Sequence, residues 1–178
     1  MFNSRNFKMR RVKKTRIIIG VIAILVFSIS SCSMLHKKNK SMDDKTGITD
    51  LKSLRKQTWF ANEYNSYKVD EVTLGKIKAL NNFNILVFGG GWCSDTQREL
   101  PRFIKILDQL DYPLKKLEII FLDRNKECKN CELTNPPEAY KIGFVPTFIL
   151  REISGKERGR IVETPAQSLE KDLSQLVN

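Results

Sequence analysis

Histidine is almost absent: the 178-residue chain holds one, His36, in a polar stretch with little to bury. Mechanisms that need an imidazole beside the nucleophile, of the Ser-His-Asp or Cys-His kind, are thereby set aside. A comfortable membrane span is missing too, because the longest apolar stretch, Ile17 to Ser31, falls short of the ~20 residues that cross a bilayer. Gly89-Gly90-Gly91 is followed by no G-K-[ST], so it is not a phosphate loop, and no internal repeat is visible. Cysteine is sparse, with only Cys32, Cys93, Cys128 and Cys131.

The formal net charge of +11 points less to a polyanionic partner than it first suggests. Residues 1 to 16 carry seven of the 31 Lys and Arg and no acid; without them 24 basic residues face 20 acidic ones, a balance of +4. No basic stripe with interleaved aromatics remains, and a nucleic-acid partner is not expected.

A basic head, an apolar core and a small-residue end are the parts of a secretory leader. The end reads Ile29-Ser30-Ser31-Cys32, which resembles the lipobox of a bacterial lipoprotein precursor. That resemblance implies a signal peptide over 1–31, lipid (palmitate) on Cys32 and a membrane-anchored protein on the extracytoplasmic side of the cell envelope. A plain signal anchor with Cys32 as an ordinary cysteine is the competing reading, and it leaves the domain on the same side. Residues 32–49 are polar and read as a flexible tether containing His36.

From residue 50 to 178 the pattern is that of one domain. Leu51, Leu54, Trp59 and Phe60, then Val72, Leu74, Ile77 and Leu80, recur at helical intervals and predict an N-terminal helical extension. Beyond it the spacing predicts strand Ile85 to Phe88, helix Ser94 to Leu110, strand Leu117 to Leu122, and a short helix near Pro136 to Lys141 that Asn135 caps. Strands Thr147 to Arg151 and Gly159 to Glu163 and helix Ala166 to Val177 complete it. Strand, helix, strand implies a right-handed crossover with parallel strands, and the Ser154-Gly155 turn implies an antiparallel hairpin at the end. The fold class is α/β, a central mixed sheet flanked by helices.

The run from Ile85 to Pro101, I-L-V-F-G-G-G-W-C-S-D-T-Q-R-E-L-P, puts Cys93 where a buried strand turns into a helix. Unpaired N–H groups and the positive end of the helix dipole favour an anion there, and a thiolate is the form that attacks a disulfide. Cys93 is therefore the candidate nucleophile, with Ser94, Asp95 and Thr96 as its neighbours. Asp95 competes for the same positive end, which argues for a reducing or exchange role over a strongly oxidising one. A proton shuttle is open to it as well, beside the plainer role of an acid at a helix start.

Trp92-Cys93 at the junction, Pro101 inside the helix and Val145-Pro146-Thr147 ahead of a strand together resemble the thioredoxin superfamily. Its site is W-C-x-x-C, faced by a cis-proline loop. The resemblance covers the chain from about Tyr67 onward. It implies a thioredoxin-like fold, thiol-disulfide exchange at Cys93, and contact with substrate through Trp92, Val145 and a cis Pro146. Substrates would be disulfides of polypeptides or small thiols. No cofactor and no metal are implied. Two positions depart from the pattern: Thr96 stands where the second cysteine would be, and Val87 where many members have a buried acid.

Cys128-Lys129-Asn130-Cys131 lies in the loop after the strand Leu117 to Leu122, at the sheet edge that would also hold Cys93. Three readings are open for it: a local disulfide that stiffens the loop, a resolving pair that takes over the disulfide made at Cys93, or, with Cys93, a soft-metal ligand set. The corresponding functions are a lipid-anchored envelope oxidoreductase with one nucleophilic cysteine, a redox-silent partner-binding module, and a metal chaperone.

Overall fold

A computed structural model describes residues 42–128, 131 and 137–178 of the chain. The leader, Cys32 and His36, and the Asn135-Pro136 cap lie outside the described residues. Five strands, β1 (Gly47–Ile48), β2 (Asn84–Gly89), β3 (Leu117–Phe121), β4 (Thr147–Arg151) and β5 (Glu157–Val162), form one sheet in the order β1-β3-β2-β4-β5. β2 runs parallel to β3 and antiparallel to β4, and β4–β5 is an antiparallel hairpin turned at Gly155. The helices are α1 (Leu51–Leu54), α2 (Thr58–Ser66), α3 (Glu71–Leu74), α4 (Ser94–Gln109) and α5 (Leu169–Val177).

β2 sits at the middle of the sheet, with a partner on each side and its last five residues buried. That is why its sequence is a continuous apolar run with no polar alternation. Alternate residues still go to opposite faces. Ile85 and Val87 join Leu100, Phe103, Phe148 and Leu173 in the larger core, while Leu86 and Phe88 join Ile120, Leu122, Val145 and Ile149 in a smaller one. Helices α2, α4 and α5 roof the first face. The second is roofed by loops, and Trp92, Cys93, Cys128, Cys131, Tyr140 and Ile142 pack on it.

The helical extension is fastened to α4 by charge. Arg55 donates to both carboxylate oxygens of Asp108 at 2.9 and 2.6 Å, Tyr64 donates to Asp108 at 2.6 Å, and Arg102 pairs with Glu63. The buried Glu170 of α5 accepts from the Tyr67 hydroxyl at 3.0 Å and from the Asp70 N–H at 3.2 Å. Burial, followed by the neighbouring Glu170 charge, pushes the Tyr67 phenol well above its ordinary range.

Three expectations change. The tether over 32–49 ends early: Met42–Asp44 is a 3-10 turn, and Gly47–Ile48 pairs with Phe121 and Ile120 as the fifth strand. Two residues carry no periodicity, so this strand exists only through its partner. Gly47 has φ +107°, a conformation open to glycine. The last helix begins at Leu169, not Ala166, because Ser168 caps it by accepting from the Lys171 N–H, and Asp172 binds the N–H groups of Ala166 and Gln167. The last strand begins at Glu157, two residues before Gly159.

Phe148 is fully buried and stacks on Phe103 with centroids 4.5 Å apart; Phe148→Ala should cost about 3–5 kcal/mol in denaturant unfolding. Asp70 caps α3. The Thr73 hydroxyl, then the N–H groups of Thr73 and Val72, hold its carboxyl below the usual carboxylate value. A carboxyl lowered in the folded state stabilises above its unfolded value and loses that contribution as pH falls through the folded one. Asp70→Ala should therefore lower Tm at neutral pH, and the gap from the parent should close as pH drops below 3.8.

Candidate functional site

β2 ends at Gly89, Trp92 and Cys93 follow in the turn, and α4 begins at Ser94. Gly89 and Gly90 serve close packing. A Cβ on Gly90 would lie 2.7 Å from the Trp92 ring, and one on Gly89 3.0 Å from the Thr96 methyl and 3.1 Å from the Phe121 ring. The expected tight strand exit is thus a close approach of side chains to bare backbone. The turn is held from both ends: Gln97 Nε2 donates to the Gly91 carbonyl at 2.6 Å, and the Gly90 N–H donates to Thr96 Oγ1 at 3.2 Å.

Cys93 is the N-cap of α4, with its carbonyl accepting the first helical bond from the Gln97 N–H at 3.0 Å. Its side chain is half-buried, and its thiol donates to the Val145 carbonyl at 3.1 Å. The Val145–Pro146 bond is cis, as the resemblance implied. Among the described residues the Val145 N–H has no hydrogen-bond partner. Asp95 is engaged by Arg98 at 2.8 Å, so part of its charge is compensated within its own helix.

Trp92 is fixed by a hydrogen bond from Nε1 to the Leu122 carbonyl at 2.9 Å, which ties the exit of β2 to the exit of β3. Two residues that sequence reading passed over stand against its ring: Arg124 at 5.0 Å and Lys126 at 5.9 Å from the ring centroid. Gln97 was passed over as well. Basic residues just after a strand were the available signal for the first two, but nothing local tells which ring they reach.

Thr96 is fully buried, and its hydroxyl is occupied as the acceptor for Gly90. Cys128 and Cys131 are joined in a disulfide, with Cys131 Sγ beside Gly47 of β1 and Cys128 Sγ near the Phe121 carbonyl. The pair thus carries the local bridge of the first reading. It shares the smaller core with Cys93, yet among the described residues no three His, Cys, Asp or Glu side chains converge on a metal-sized site.

A family model described as thioredoxin matches residues 42–173. The chain belongs to this thioredoxin family. Among solved structures, the thioredoxin-family chain is similar to a protein of unknown function from Pseudomonas aeruginosa, at 15% identity over 67% of this chain and 80% of that one, TM-score 0.47. An HIV epitope scaffold is similar at 14% identity with the same coverage and TM-score. No curated protein matches. No helix among the described residues is long and apolar enough to cross a membrane.

Gly90→Ala would set a methyl group against an indole that is already hydrogen-bonded in place. The expected result is a stability loss of about 1–3 kcal/mol and a large shift of the Trp92 Nε1–H resonance; an unmoved resonance would mean that the turn, not the ring, yields.

Proposed function

We propose that this thioredoxin-family protein is a lipid-anchored, cell-envelope thiol-disulfide oxidoreductase with Cys93 as its single active-site nucleophile. The observation that carries the reading is the half-exposed Cys93 thiol at the N-cap of α4, with Thr96 where a resolving thiol would stand. The first-turn N–H groups of a helix lack intrahelical acceptors and stabilise a thiolate at the cap once the proton leaves. The Cys93 thiolate attacks one sulfur of a substrate disulfide. A Cys93–substrate bond forms, the substrate S–S bond breaks, and the second substrate sulfur departs as a thiolate.

Thr96 offers no sulfur, so the mixed disulfide waits for a second thiol. With Cys128 and Cys131 bonded to each other, that thiol is external, a small thiol or a reduced protein; in their reduced form the two cysteines could serve instead. Trp92 and the Val145 N–H, which has no partner among the described residues, supply a surface and a backbone donor for an extended substrate segment. The basic head, apolar core and Cys32 of the leader support lipid anchoring outside the cytoplasmic membrane.

The test uses the full chain in detergent micelles with a peptide disulfide. Mass spectrometry after acid quench should find a long-lived adduct on Cys93, absent in Cys93→Ser. Thr96→Cys should shorten its lifetime by closing a disulfide between Cys93 and the introduced thiol. Undiminished exchange in Cys93→Ser would sink the reading, and no exchange in the parent, with partner capture intact, would favour the redox-silent module.

A further inference from the structure

Two cations stand on the residue next to the proposed nucleophile, and among the described residues no carboxylate pairs with either. The Arg124 guanidinium and the Lys126 ammonium lie over Trp92, the residue next to Cys93, and neither is ion-paired with a described residue. Their loop is held by Asp123, whose Oδ1 accepts from the N–H groups of Asn125 and Glu127, each at 2.9 Å, while the Lys126 N–H donates to the Asp123 carbonyl. Asp123 thus spends Oδ1 on backbone N–H groups, and Asp95 is occupied by Arg98.

Beyond Lys126 a groove of about 430 Å³ runs between this loop and residues 137–143. It is lined by Lys126 and Lys141 together with Glu127 and Glu138, so the groove's own charge is mixed. Phe144, 58% exposed, stands next to the Val145 N–H. A cationic end, a groove leading away and an apolar side chain suit a chain of several residues better than one small molecule.

We infer that Arg124 and Lys126, held over Trp92, form a cationic subsite that selects a disulfide flanked by carboxylates on an acidic polypeptide segment. The inference rests on the reading of Cys93 as nucleophile. A guanidinium takes a carboxylate through paired hydrogen bonds. The same two charges offset the repulsion between an acidic segment and the attacking thiolate, and favour the thiolate that leaves. They also raise the local concentration of acidic partners in a salt-dependent way.

The experiment measures the rate of Cys93 adduct formation in the full chain with three peptide disulfides alike except for Glu, Gln or Lys beside the cysteine. The Glu peptide should react about tenfold or more faster than the Lys peptide at low salt, with the ratio shrinking as salt rises and collapsing in Arg124→Gln/Lys126→Gln. Equal rates for all three, or a preference that survives in the double variant, would overturn the subsite. So would a variant that slows alkylation of Cys93 by neutral iodoacetamide as much as it slows the Glu peptide, because the cations would then act on the thiol. Glutathione disulfide outpacing the Glu peptide would overturn the polypeptide assignment. No adduct with any peptide removes the Cys93 reading itself, a result distinct from equal rates.

Discussion

The site depends on the parallel pairing of β2 with β3. That register sends both strands out at one edge of the sheet, and the ladder continues past the strands: the Leu122 N–H donates to the Gly89 carbonyl at 2.8 Å, and the Leu122 carbonyl accepts from the Trp92 indole. Two loops with no sequence contact thereby become one surface. The thiol stands on the first, the cations on the second, and Trp92 is the joint between them. The cis Val145–Pro146 segment closes the surface from the entry of β4, with its carbonyl on Cys93.

The two faces of the sheet are covered differently, and this decides what the loops are for. Helices roof the face that holds Phe103, Phe148 and Leu173. On the other face Leu86, Phe88, Ile120, Leu122 and Ile149 are sealed by Trp92, Tyr140, Ile142 and the cysteines. The Cys128–Cys131 bridge is therefore a covering piece as well as a sulfur pair, with Cys131 Sγ beside Gly47 of the short edge strand. Residues that form the candidate site also keep water from the smaller core, so their positions are set by packing before chemistry.

Electrostatics near Cys93 are divided between local and imported charge. The acid of the first helical turn is matched by Arg98 three residues on, while Arg124 and Lys126 arrive from another strand's exit. Between the helical extension and α4, Asp108 and Glu63 take Arg55 and Arg102, which fix helices to one another. Arg124 and Lys126 have no ion-pair partner among the described residues and stand on Trp92, the residue next to Cys93.

Local pattern determined much by itself. The apolar run Ile85 to Phe88, the glycines, the helical spacing after Cys93 and V-P-T before a strand are short-range signals, and each was legible because a buried strand or a helix start imposes its own composition. The candidate nucleophile and the mixed sheet were read from them, and the missing second thiol at Thr96 from the family resemblance they carry. What only the tertiary structure decided involves partners distant in sequence. Gly47–Ile48 became a strand because β3 offered an edge, Cys128 and Cys131 were joined to each other, and Arg124 and Lys126 came to lie on Trp92. Periodicity reports which face a residue buries, but not which residue from another loop will meet it, because that contact is set by strand register and packing across the fold.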